Sequence, residues 1–217
     1  MTKRKVSNPL ALAVLALLAE RPMHPYEMSS TLRERAKEES IKLNYGSLYS
    51  VVESLRRHGL IDVRETIREG RRPERTVYAI TENGRFELVD WMSELLSVPV
   101  KEYTQFEAAL TLIPVINPDD VQRLLETRLI RLDAEIATVG GVMDEMARRG
   151  MPYLWAIEAD YVRALRRAER EFVRDLAEKI RNGTLEGVDL WRRAHEGGEL
   201  PSEEDWMRAS EHLRRVK

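Results

Sequence analysis
Apolar positions open the chain in three helical blocks. Leu10 to Ala19 is an almost unbroken apolar run, introduced by Asn8-Pro9 and halted by Pro22. Asn is a good N-cap and Pro suits a first helical turn, so the run predicts a buried helix. After Pro25, Met28, Leu32 and Ala36 recur at helical spacing beside a charged face, which predicts a second, amphipathic helix. A third starts near Asn44, a residue able to cap it, and carries Leu48, Val51, Val52 and Leu55 in one stripe. Arg56, Arg57 and His58 occupy its last turn, where cations favour the dipole, and Gly59 fits the left-handed position that closes a helix.

The period then changes from helical to alternating. Ile61, Val63 and Ile67 alternate with Asp62, Arg64, Thr66 and Arg68, as in a half-buried strand. A second run, Arg75 to Ile80, follows six residues, Glu69 to Glu74, that hold Gly70 and Pro73 as turn formers and Arg71 and Arg72 at the tip of a hairpin. Three short helices and a basic two-stranded hairpin are the parts of a winged helix-turn-helix.

Thr81 caps a further helix with Phe86, Val89, Met92 and Leu96 on one side, and Pro99 marks a joint. Gln105 to Ile116 reads as a short apolar helix closed near Pro114, and Asn117-Pro118-Asp119-Asp120 opens the next with acids at its positive end. The spacing predicts a helix of about 30 residues along Val121, Leu125, Leu129, Leu132, Ile136, Val139, Met143 and Met146, which is bundle or coiled-coil material. Gly140-Gly141 interrupts it and allows a bend. After Pro152 another helix runs to Asn182-Gly183 with Tyr161 or Val162, Leu165, Phe172, Leu176 and Ile180 on one face. Beyond it, Gly197-Gly198 reads as a hinge, and Ser202 as the cap of a short helix bearing Trp206, Ala209 and Leu213.

The expected fold is therefore mainly α with a small β-hairpin. A winged helix-turn-helix covers 1–97, a helical dimerisation and effector domain 98–183, and a C-terminal extension 184–217. Charge sharpens the division. Residues 1–85 hold 16 Lys and Arg against 11 Asp and Glu, and residues 86–217 hold 19 against 26, so halves of +5 and −7 combine into the net −2. A basic front on an acidic back suits a polyanion-binding unit joined to one that stays off the polyanion. With 43% hydrophobic residues there is material for a core, so the chain is not a disordered tail.

The opening, Lys3-Arg4-Lys5 before an apolar run, imitates a secretory signal, but the run falls short of the roughly 20 residues that span a bilayer. The absence of cysteine excludes disulfides, thiolate metal sites and cysteine nucleophiles together. His24, His58, His195 and His212 are scattered without metal-ligand spacing, and no phosphate-cradling or nucleophile-elbow motif occurs. No catalytic residue, metal or cofactor is expected, and the chain does not read as an enzyme.

DNA recognition needs a helix that fits the major groove, with polar side chains near its N-terminus and cations for phosphates. The third helix supplies Tyr45, Ser47, Tyr49, Ser50 and Ser54 on its outer side and Arg57 at its far end. The free amides of Tyr45, Gly46 and Ser47 offer a phosphate site. Arg71, Arg72 and Arg75 on the hairpin suit a narrow minor groove or flanking phosphates. Lys3 to Lys5 are either an arm on DNA or a solubilising end.

These residues carry a resemblance. A short apolar first helix, His24-Pro25-Tyr26-Glu27, Tyr45-Gly46-Ser47-Leu48-Tyr49, Leu55, Gly59-Leu60-Ile61, Tyr78 and Thr81-Glu82-Asn83-Gly84-Arg85 resemble the PadR family of transcriptional regulators over about residues 8–96. Residues 104–182 resemble the helical domain of its longer members, first described in virulence-gene activators. The family often has Gly at the position of His24 and Pro at those of Tyr45 and Ser50. The resemblance implies a cytoplasmic homodimer, a repressor on double-stranded DNA with no membrane partner, whose operator affinity responds to a small apolar or aromatic effector. It also requires the first helix to stay in the core, which argues against a cleaved signal.

Trp91, Tyr103, Phe106, Tyr153 and Trp155 lie near the joint or at helix starts, where aromatics either line a ligand cavity or serve as ordinary core. Two rival functions stand beside the regulator. One is a winged helix used for protein contacts without specific DNA binding, and the other is a carrier of apolar ligands.

Overall fold
Asn8 begins the fold as its side chain dictates. In the computed structural model, which describes residues 8–37, 41, 45–67, 75–197, 204 and 207, its Oδ1 accepts the Leu10 amide at 2.9 Å and Pro9 takes the first helical position. The helix that follows, α1 (Pro9–Glu20), is apolar nearly all round, so most of it is buried. α2 (Pro25–Glu34) and α3 (Tyr45–Arg57) pack around it, and β1 (Ile61–Ile67) and β2 (Arg75–Ile80) form one antiparallel ribbon. α4 (Glu82–Ser97) completes the first of two compact units, Met1–Lys101 and Glu102–Lys217.

The first core gathers Leu15 and Leu18 of α1, Met28 of α2, Leu48 and Leu55 of α3 and Ile61 of β1. The ribbon is tied to it by backbone, since Met23 and Tyr78 exchange two N–H to O bonds of 3.0 Å. Arg35 closes the other side, its guanidinium reaching both Glu20 oxygens at 2.6 and 2.8 Å and holding that carboxyl below the usual carboxylate range. Gly59, at φ +67°, makes the sharp exit from α3 into β1 that a side chain resists. α2 stops at Glu34, and Ala36, expected on its apolar face, lies beyond the helix at φ +52° and is exposed.

α4 turns differently from its sequence pattern. Trp91 and Gly84 are buried and Leu88 packs on the core, whereas the expected stripe of Phe86, Val89, Met92 and Leu96 faces outward. The reason is steric: the first turn of α4 lies so close to the Leu60 carbonyl that the glycine must face inward, and the rest of the helix follows its rotation.

In the second unit, α5 (Gln105–Thr111) and a 3-10 turn (Ile113–Val115) lead into α6 (Pro118–Arg148), an unbroken helix capped by Asn117. α7 (Ile157–Arg181) returns beside it after a second 3-10 turn (Tyr153–Trp155). Val121, Leu125 and Leu132 of α6 meet Val173, Ala177 and Ile180 of α7. Ion pairs flank this seam: Arg128 with Glu169, Arg166 with Glu135, Arg170 with Asp133 and Arg181 with Glu126. The expected α7 face is correct at Leu176 and Ile180, but Tyr161, Leu165 and Phe172 lie exposed, because the face carrying the small Ala177 admits α6 more closely.

An eighth helix, α8 (Val188–Gly197), has no counterpart in the sequence reading. Trp191 is its anchor, buried in the second core, with Nε1 donating to the carbonyls of Pro114 at 3.2 Å and Ile116 at 2.9 Å. The expected hinge at Gly197-Gly198 begins at the last residue of α8. Ser202, Trp206, Ala209 and Leu213 lie outside the described residues. No described helix is long and apolar enough to cross a membrane.

Candidate nucleic-acid interface
Leu48, Val52 and Leu55 fix the rotation of α3 by turning into the core. That rotation leaves Gly46, Ser47, Tyr49 and Ser50 exposed along the first turns and Arg57 exposed at the end. Tyr45 opens the helix, so its amide and those of Gly46 and Ser47 belong to the first turn, at the positive end of the helix dipole. Ser50 Oγ donates back to the Gly46 carbonyl at 3.0 Å, which leaves the oxygen's lone pairs facing solvent.

The cations at the far end of α3 are not equivalent. Arg56 is held by Glu53, with contacts of 2.8 and 3.1 Å, whereas Arg57 pairs with no carboxylate among the described residues. Arg75 is exposed at the start of β2. Arg71 and Arg72, together with Asn44 and the cationic N-terminal residues 3–5, lie outside the described residues. Sequence reasoning missed Arg64. It is the extra residue of a bulge, since Val63 pairs with Tyr78 and Glu65 with Val77, and it is exposed. Bulges re-aim a side chain, and alternation within one strand gives no sign of them.

His24 links this surface to the core of the unit. Its Nδ1 accepts the Tyr26 amide at 3.1 Å and so caps α2, which requires that nitrogen to be unprotonated. Burial pushes the imidazole below its ordinary value of 6.5 and nearby Arg75 adds to the shift, against an opposing pull from Glu27. A folded-state value below the unfolded one contributes stability that is complete above the unfolded value and is lost as pH falls through the folded one. Wild-type protein should therefore lose stability on acidification below about pH 6.5, and His24→Asn, which caps without titrating, should lose less over the same range. Denaturant melts of both proteins at several pH values check this, and identical pH profiles would remove His24 from the account.

Residues 14–90, from within α1 to the middle of α4, match the family described as Transcriptional regulator PadR-like family. They belong to it. This PadR-like stretch lies within the span of about residues 8–96 over which the motifs resemble the family, and it contains α2, α3 and both strands. The chain is 22% identical over 143 residues to the Negative transcriptional regulator PadR of Bacillus subtilis (strain 168), an overlap of 66% of this chain and 78% of that protein. The solved structure of Bacillus subtilis PadR in complex with operator DNA superposes at a TM-score of 0.62 with 19% identity, covering 80% of this chain and 99% of that one. The same protein in complex with p-coumaric acid gives 0.62 with 18% identity, at 79% and 98% coverage. The Vibrio cholerae virulence activator AphA gives 0.58 with 15% identity, at 80% and 98%. These likenesses extend the shared fold beyond the PadR-like residues into the helical unit.

The aromatic candidates do not form one group. Trp91 is part of the first core, 5% exposed. In the helical unit, Phe106 lines an open groove under the Arg128 guanidinium, whose carbon stands 3.8 Å from the ring centre. Tyr103 is 87% and Trp155 62% exposed, and neither lines that groove. Tyr153 donates its hydroxyl to Asp160 at 2.6 Å, which raises the phenol's pKa and lowers that of the carboxyl.

Proposed function
We propose that this PadR-like protein is a homodimeric repressor that binds operator DNA with α3 and the β1–β2 wing, and whose affinity is set by a small apolar or aromatic ligand in the helical unit. The observation that carries the reading is the presentation of α3: a helix locked by buried leucines that offers first-turn amides, exposed hydroxyls and the exposed Arg57 along its outer side. Tyr45, Gly46, Ser47, Tyr49 and Ser50 position α3 on the duplex, and Arg57, Arg71, Arg72 and Arg75 hold phosphates or the minor groove.

The relatives support the same reading, one being named a negative transcriptional regulator and solved with operator DNA and with p-coumaric acid. Tyr161, Leu165 and Phe172, left open on α7, supply apolar surface for a second copy. A two-fold axis there places two recognition helices at half-sites about 34–36 Å apart. An effector acts by favouring a dimer whose spacing no longer fits the operator. The protein works in the cytoplasm, needs no cofactor and is not an enzyme.

Fluorescence anisotropy against duplex DNA from upstream of its own gene, with a scrambled control and several salt concentrations, tests the reading. A preference of about 10³ or more for the native sequence, with a steep salt slope, is expected. Equal, weak binding to both would favour a wing used for protein contacts. Arg71→Ala with Arg72→Ala should weaken binding to all sequences and reduce the slope of log affinity against log salt by about 2. An unchanged slope would take the wing tip out of the DNA contact.

A further inference from the structure
The outward midline of α3 has a chemistry of its own. Gly46, Ser50, Glu53 and Arg57 follow one another at steps of four, three and four, opposite the buried Leu48, Val52 and Leu55, and all four are exposed. Gly46 has no side chain, so the start of the helix can approach a base pair more closely than any other residue would allow. That depth suits Ser50, whose hydroxyl reaches only a short way. Arg57, at the far end, is long enough for a phosphate.

The two residues between Gly46 and Arg57 share one property. Ser50 spends its only hydroxyl hydrogen on the Gly46 carbonyl at 3.0 Å, so the oxygen turns lone pairs outward. Glu53 carries a carboxylate whose oxygens accept from Arg56 Nε at 3.1 Å and Nη2 at 2.8 Å. That guanidinium holds the carboxyl below the usual carboxylate range, so the group is ionised at neutral pH and has nothing to donate. Arg56 takes two of roughly four lone-pair sites and leaves the others open. It also offsets the charge that phosphates along a groove would repel, and its planar fork fixes the plane of the carboxylate.

Acceptors on a protein read donors on the bases. In the major groove the donors are the amino groups at cytosine N4 and adenine N6, whereas guanine O6 and thymine O4 are acceptors. A carboxylate separates the two amino bases further, since adenine sets its N7 lone pair beside N6 and cytosine has no acceptor there. Ser50 and Glu53 stand about 4.5 Å apart along the helix axis, near the roughly 3.4 Å between base pairs, so they face neighbouring pairs.

We propose that Ser50 and Glu53 are the base-reading pair of α3 and select amino bases over keto bases, Glu53 taking cytosine and Ser50 taking cytosine or adenine at the next pair. The inference rests on the placement of α3 in the major groove and adds to it the kind of sequence that is read.

Binding of the full-length protein to a pool of randomised duplexes, followed by sequencing of the bound fraction, tests it. Wild type should enrich cytosine at one position of each half-site and adenine or cytosine at its neighbour, each over the keto bases by at least ~5-fold. Glu53→Gln exchanges one acceptor for a donor and so pairs with both N6 and N7 of adenine, which should change the first position from cytosine to adenine. Ser50→Ala should erase the preference at the second position and leave the first as it was. Guanine or thymine at these positions, or preferences that survive both substitutions, would overturn the proposal. A wild-type protein that enriches no sequence would overturn the placement of α3 itself, and the inference with it.

Discussion

Alanine at position 84 should cost the N-terminal unit about 3 kcal/mol, the upper range for overpacking, and lower its melting temperature by roughly 10–20 °C. A Cβ there would stand 2.0 Å from the Leu60 carbonyl oxygen, 3.0 Å from its carbon and 2.8 Å from Ile80 Cγ1. Two of those atoms are backbone and cannot swing away. The same corner holds three hydrogen bonds that must move with it. The Thr81 amide donates to Leu60 O at 3.1 Å, its hydroxyl donates to Gly59 O at 2.8 Å, and the Gly84 amide donates to Thr81 Oγ1 at 3.0 Å. Gly140→Ala is the contrast, since nothing lies within 4 Å of its Cβ position, and it should stabilise α6 by up to ~1 kcal/mol. Circular dichroism melts of both variants decide the matter. A Gly84→Ala protein that melts with the wild type would mean that the corner yields freely.

Trp191→Ala should destabilise the helical unit by about 3–5 kcal/mol, the usual range for deleting a buried aromatic. The indole is 4% exposed, fills the space between α8 and the second core, and binds two carbonyls that α6 and the 3-10 turn leave without helical partners. Trp191→Phe separates the contributions. It keeps much of the apolar body and loses the N–H, so about 1–3 kcal/mol should remain. Urea unfolding followed by far-ultraviolet dichroism measures both. Losses below ~1 kcal/mol for Trp191→Ala would mean that α8 is dispensable to the unit.

What the sequence makes legible follows the range of the forces involved. Asn8, Thr81 and Asn117 cap the helices expected of them because a cap bonds its own next turn. Gly59 closes α3 for an equally local reason. The stripe of α3 is legible because its other positions are polar, and the outward placement of Ser47, Tyr49 and Ser50 follows from it. α7 is different. Phe172 and Val173 are neighbours and both apolar, so the choice between them belongs to α6, which packs where Ala177 leaves room. In α4 the choice is made by Leu60, more than twenty residues earlier in the chain. Arg64 needs the partner strand to reveal the bulge. α8 left a signal that could have been used: Val188 and Trp191 stand three apart, followed by Ala194, on one side of a short helix.

Gly140 and Gly141 sit inside an unbroken α6, at ordinary helical backbone angles and with no close neighbour. They serve neither a turn nor a tight contact, yet each lowers helix propensity by about 1 kcal/mol relative to alanine. The helix before them is anchored by Val121, Leu125 and Leu132, whereas the stretch after them, from Val142 to Arg148, has no fully buried residue. α6 therefore consists of two lengths of unequal tenacity. Thermal fraying should therefore start at the Arg148 end and halt near the glycines, the distal turns coming undone and re-forming while the proximal length stays wound.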